Sequence, residues 1–180
     1  LSETCRSNAA RRRVPSLRVM GNHDYSYCYT KVAEAMEKNN VHLMEHKSYK
    51  LMKDGQHIII SGVRNPFDLK KNGDSPSQHF PADDFILLLT HTPDYAEDTD
   101  VSNANLVLAG HTHGGQVSLF KKYSPVKHSI YGNRFLTGRK ENSAGVPIII
   151  TNGLGTSRMN VRLFTPSEVV LVVLHRVEKK

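Results

Sequence analysis

The sequence predicts a strand-rich α/β fold, and three observations carry that prediction. First, "FILLLTH", "NLVLAGH" and "VPIIIT" are continuous apolar runs of strand length, the pattern of strands covered on both faces. Second, "TKVAEAMEKNN" has helical spacing of its apolar residues. Third, several strand-like segments run out into histidine-bearing turns. Open α/β sheets hold their ligands in the crevice beyond the carboxyl ends of the strands.

In chain order, residues 1–16 read as a loop or helix end, polar and then cationic through "RRR" at 11–13. A short strand over 17–20 enters the turn "GNHD". The helix follows, with Thr30 as its N-cap and Asn39 and Asn40 as its stop. "SYKLMKDGQHIIISGV" predicts a β-hairpin turning at Asp54-Gly55. Residues 64–84 mix Pro, Gly, Asn, Asp and Ser without a period and predict a loop. Strands over 85–89 and 106–109 come next, then the strand of "VPIIITNGLG". "NVRLF" and "EVVLVVLHRV" are expected to close the chain as strands. The segments 64–84 and 118–147 are expected to shape any pocket. No internal repeat, low-complexity stretch or domain boundary is visible.

A chain of 180 residues with 38% apolar and 23% charged residues suits one soluble globular domain, not a disordered chain. No apolar run approaches the roughly 18 residues of a membrane span. The net charge of +7 favours anionic partners such as phosphates or acidic lipid surfaces. Nucleic acid is not expected: no basic run is interleaved with aromatics, and zinc-finger spacing is absent. Cys5 and Cys28 make no disulfide framework.

The chemistry lies at the strand ends. Asn22, His23 and Asp24 follow the first strand, His91 follows "FILLLT", and His111 and His113 follow "NLVLAG". In extended chain, residues i and i+2 face the same way, so His111 and His113 are expected to converge. Gly114 and Gly115 let the backbone turn sharply behind them. Imidazole nitrogens and an amide oxygen suit manganese, iron, cobalt or zinc. The other histidines (His42, His46, His57, His79, His128 and His175) read as ordinary. Arg158 and Arg162 are weighed as phosphate contacts, against a more ordinary role as solvated charges.

"GNHD", a strand-end histidine and "GHTH", in that order, resemble the later motifs of the calcineurin-like metallophosphoesterases. "GNHDY", "LLLTHTPD", "LVLAGHTHGGQV" and "NGLGTS…VRLF" are similar to a narrower branch of bacterial membrane-associated phosphohydrolases, some of which cleave UDP-2,3-diacylglucosamine. The resemblance runs from about residue 17 to 174. It implies a four-layer α/β/β/α sandwich and hydrolysis of a phosphodiester or pyrophosphate in a small-molecule or lipid substrate. It also implies two divalent ions, Mn, Fe or Zn. Asn22, His91 and His111 would hold one ion and His113 the other. His23 would act at the scissile phosphate, oriented by Asp24.

Two earlier motifs of that family, D-x-H and G-D-x-x-D, do not precede "GNHD"; the only acidic residue before Gly21 is Glu3. Two divalent ions about 4 Å apart repel by roughly 17 kcal/mol at an effective dielectric near 20, and neutral ligands offset none of it. The chain is therefore expected to be the carboxyl-terminal part of a longer protein, inactive alone. Its upstream residues would carry the carboxylates and a hydrophobic anchor that holds the protein at a membrane. Two alternatives stand beside this reading. One is a non-catalytic protein-interaction scaffold on the same fold. The other is a mononuclear hydrolase of another fold, using Asn22, His91, His111 and His113 on one ion.

Overall fold

A computed structural model describes residues 15–53, 55–64, 67, 74–120 and 122–175. The "RRR" run, Cys5, Asp54 of the hairpin turn and most of the loop over 65–73 lie outside the described residues. The expected mixed α/β architecture is present. A six-stranded sheet runs, in spatial order, β3 (Lys47–Lys53), β4 (Gln56–Gly62), β5 (Ile86–Leu89), β6 (Leu106–Ala109), β8 (Pro147–Ile150) and β7 (Gly138–Glu141), with a separate two-stranded sheet of β1 (Ser16–Arg18) and β2 (Val41–Leu43).

β1 (Ser16–Arg18) pairs in parallel with β2 (Val41–Leu43). Between them lie α1 (Asn22–Tyr27) and α2 (Tyr29–Lys38). Two boundaries differ from the sequence reading. Strand β1 stops at Arg18, and "GNHD" is the start of a helix rather than an open turn. The second helix begins at Tyr29 with Cys28 as N-cap, so Thr30 lies inside its first turn. The asparagine stop is borne out. Asn39 is the C-cap and Asn40 takes φ +54°, a conformation that asparagine tolerates better than most residues.

The predicted hairpin is β3 (Lys47–Lys53) and β4 (Gln56–Gly62), antiparallel with Lys53 opposite Gln56. The apolar runs become β5 (Ile86–Leu89), β6 (Leu106–Ala109) and β8 (Pro147–Ile150). They lie parallel to one another and to β4, so four strands send their carboxyl ends the same way. Leu88, Val107, Ile148 and Ile150 are fully buried there, with Tyr95 and Phe135 packed in the same cluster. A Leu or Ile side chain buried in this way contributes about 1.5–3 kcal/mol relative to exposure.

The closing strands are a correction. Residues 166–175 form no strand, and Leu163 makes only an isolated bridge with Val117. The free side of β8 is taken instead by β7 (Gly138–Glu141), antiparallel to it. The segment 118–147 therefore does more than shape a pocket: it supplies an edge strand. "GRKE" escapes an apolar search because edge strands tolerate, and use, charge.

Candidate metal centre

The carboxyl ends of β5 and β6 bring two imidazoles together. His91 and His111 pack edge to face, with ring centroids 4.8 Å apart. Asn22, at the first turn of α1, reaches the same point from the small sheet. His91 Nε2 lies 3.0 Å from Asn22 Oδ1 and 3.0 Å from His111 Nδ1. The order Gly-Asn at the helix start has a steric cause. A Cβ on Gly21 would stand 2.7 Å from His91 Cε1, so only glycine lets the helix approach the ring.

As hydrogen bonds these contacts are poorly served: a ring nitrogen carries one proton or offers one lone pair, so a single His91 Nε2 proton would have to be shared between the Asn22 oxygen and the His111 lone pair. Turning the amide of Asn22 leaves two donors competing for one lone pair, which is no better. Protonating the rings is opposed by the site itself. Burial, and then the nearby imidazoles, push His91 down to about 3. Burial leads again at His111, which falls to about 4 despite a hydrogen bond to the backbone of His128. Three converging lone pairs with too few protons suit a cation. Adjacent donors stand about 3.0 Å apart around an octahedral ion with bonds of about 2.1 Å. The donor set Asn22, His91 and His111 fits a divalent metal.

His113 is positioned differently. His111 and His113 were expected in extended chain, but they have φ of +66° and +51°, and His113 opens a 3-10 turn through Gly115. The two rings therefore do not share one point. His113 Nδ1 lies 3.1 Å from the Gly155 carbonyl, which can only accept, so Nδ1 holds the proton and Nε2 keeps its lone pair. Burial lowers its pKa. Among the described residues, no group of three or more His, Cys, Asp or Glu side chains gathers around one point. The convergence is of two imidazoles and one amide.

A left-handed conformation in a non-glycine residue costs about 1 kcal/mol or more, so this turn needs support. Thr112, buried, donates to the Leu136 carbonyl at 2.8 Å and accepts the Gly114 N–H. Gln116 donates to the carbonyls of Met159 and Val161 and accepts the Ser157 N–H. Side chains at Gly114 and Gly115 would overlap Asn152 and Ser124. The string "GHTHGGQ" is thus a folded loop held from several sides.

Arg162 belongs to that support. Its guanidinium donates to the carbonyls of Asn152 (2.8 Å), Thr165 (3.2 Å) and His113 (3.3 Å), as well as those of Gly153 and Gly155. It ties the loop after β6 to the loop after β8. Arg158 is exposed, at φ +61°.

His23 is exposed beside the cluster, and its charge acts on His91, His111 and His113. Asp24 Oδ2 accepts the Gly21 N–H at 2.8 Å and so closes the first turn of α1. Of the histidines read as ordinary, His46 Nδ1 accepts the Arg64 N–H and His57 pairs with Asp84 at 2.8 Å, both away from the centre. His128 is a miss. Its ring centroid lies 6.1 Å from those of both His111 and His113. No local signal marks it; only the folded loop brings it there. Phe67, exposed, meets the His111 ring from another direction at 5.1 Å.

Comparisons with known proteins agree with this chemistry. The chain is similar to the uncharacterised metallophosphoesterase YkuE of Bacillus subtilis, 28% identical over 158 residues, which cover 87% of this chain and 54% of that protein. It is 26% identical over 169 residues to a metallophosphoesterase of Aquifex aeolicus, covering 87% and 59%. Similarity to the metallophosphoesterase Cj0846 of Campylobacter jejuni is 27% over 161 residues, covering 86% and 41%. The chain thus spans about half the length of the curated relatives it matches. No protein-family model and no solved structure matches it. The relatives support the calcineurin-like metallophosphoesterase superfamily, with its metal-dependent phosphoester chemistry. Among the described residues, no helix is long and apolar enough to cross a membrane.

Proposed function

We propose that the chain carries the histidine-rich part of a metal-dependent phosphohydrolase that cleaves a phosphodiester or pyrophosphate bond. The observation that carries this reading is the meeting of Asn22 Oδ1, His91 Nε2 and His111 Nδ1, where one His91 proton would otherwise have to serve both neighbours. These three atoms hold one divalent ion, and His113 Nε2 serves a second. A bound metal pair lowers the pKa of water and clamps phosphoryl oxygens. The chain's own part is to keep three imidazoles neutral by burial and to fix the His113 tautomer through Gly155. His23, exposed beside the cluster, meets the leaving-group oxygen and gives it a proton, with Asp24 as its orienting partner. A metal pair requires carboxylate ligands beside these neutral donors.

The substrate reading is an anionic lipid with a pyrophosphate, of the UDP-2,3-diacylglucosamine type, acting at a membrane surface. Its supports are the similarity of the longer strings and the net charge of +7. A non-catalytic scaffold is favoured by one feature, the all-neutral ligand set. Elemental analysis of the purified chain separates the two. The phosphohydrolase reading expects a tightly held divalent ion that is lost in His111→Ala and kept in His23→Ala. A wild-type chain that holds no metal sinks it.

A further inference from the structure

The fold builds a seat for His128. Downstream of it, buried Asp94 accepts the Ser129 hydroxyl and, at 2.9 Å, the Ile130 N–H. The Tyr131 N–H adds a bond to Ser129 Oγ at 3.1 Å. Upstream, buried Ser124 Oγ lies 3.2 Å from the Gly115 carbonyl and 2.9 Å from that of Val126. A buried carboxylate is costly unless it is hydrogen-bonded. One used to fasten residues 129 and 130, three positions after His91, holds the His128 loop against the strand end that bears the site. The ring is half-buried and edge-on to both His111 and His113, at interplanar angles of 82° and 69°.

The charge around it has one sign. The permanently charged side chains that act on His91, His113 and His128 are Arg18, Arg158 and Arg162. Arg158 is the one whose charge reaches His128. An imidazole offers an N–H donor in either protonation state and a guanidinium offers charge, the pair of features that an anionic oxygen takes.

We propose that His128 binds a phosphoryl oxygen of the substrate on the His111–His113 side of the imidazole cluster. This rests on the phosphohydrolase reading and adds a substrate-binding residue to it. Its removal lowers affinity for phosphoryl ligands and leaves the metal in place.

The test uses the full chain loaded with zinc and titrated with inorganic pyrophosphate. Calorimetry reads the affinity, and long-range proton–nitrogen spectra read each histidine ring. The His128 ring signals should move in step with saturation. His128→Ala should bind pyrophosphate about tenfold more weakly, the loss of one charge-assisted hydrogen bond, with zinc stoichiometry and circular dichroism unchanged. His128→Gln, which keeps a donor, should recover part of the loss, and Arg158→Ala should show a smaller one. Wild-type affinity in both His128 variants overturns the proposal. So does a zinc-loaded wild-type chain that does not bind pyrophosphate. A wild-type chain that holds no zinc fails the metal reading instead, and this proposal falls with it.

Discussion

"PIIIT" and "VVLVVL" look alike as sequence, yet the molecule treats them oppositely. In β8, Ile148 and Ile150 are fully buried between β6 and β7. Near the carboxyl end, Val169 is 82% exposed and Leu171 88%, with no strand pairing. The difference is not hydropathy but what each run has for neighbours. A strand needs a partner for its backbone N–H and C=O groups and a layer for its faces. For β8 the sheet provides both. Among the described residues the tail is fastened at its root, where the Glu168 N–H donates to the Gly153 carbonyl at 3.1 Å and Glu168 Oε1 accepts the Asn152 N–H.

The sharpest way to break this comparison is to remove side chains from its buried half. Ile150→Ala should cost about 2–5 kcal/mol, as expected for a fully buried isoleucine, read from the midpoint of denaturant unfolding. Because Ile150 directly precedes the loop held by Arg162, metal affinity should fall with it. A cost below about 1 kcal/mol would mean that β8 is not core.

The site loops are held as firmly as β8 but by polar groups, and their burial predicts a pH dependence. His91 and His111 are depressed to about 3 and about 4, against about 6.5 in an unfolded chain. The folded pKa lies below the unfolded one, so the unfolded state takes up protons first as pH falls. Stability of the metal-free chain is full above about pH 6.5 and declines toward the folded values near 4 and 3. The unfolding midpoint should drop between pH 7.5 and 4.5, and His91→Gln should flatten the slope. An unchanged midpoint across that range would mean that the imidazoles are solvated, not buried.

The smallest effect belongs to the tail. Leu171→Ala should change stability by no more than about 0.5 kcal/mol, because an exposed side chain has little to lose. A cost comparable to that of Ile150→Ala would show the tail covered in solution and erase the contrast.

Much of this protein was legible in order along the chain. Apolar runs named β5, β6 and β8, turn residues named the hairpin, and the strand-end histidines named the places where donors would stand. His91 and His111 meet as strand-end logic expects, because parallel strands carry whatever follows them to one edge, whereas Asn22 comes to them on α1, from the separate small sheet. Local pattern failed where a neighbour decided the outcome. β7 is charged and found its place only because β8 had a free side. The terminal apolar run read as strand, and nothing among the described residues pairs with it.

What the sequence by itself determined was the kind of donor at each strand end and the glycines, Gly114 and Gly115, at which the chain turns behind them. Those depend on side-chain chemistry and local sterics, which a single chain segment carries. Only the tertiary structure decided that His113 turns away from His111 to bind Gly155, that Arg162 staples loops instead of facing solvent, and that His128 joins the site. Each of these depends on hydrogen-bond partners tens of residues away in sequence, and no local pattern specifies which distant carbonyl or carboxylate will be near.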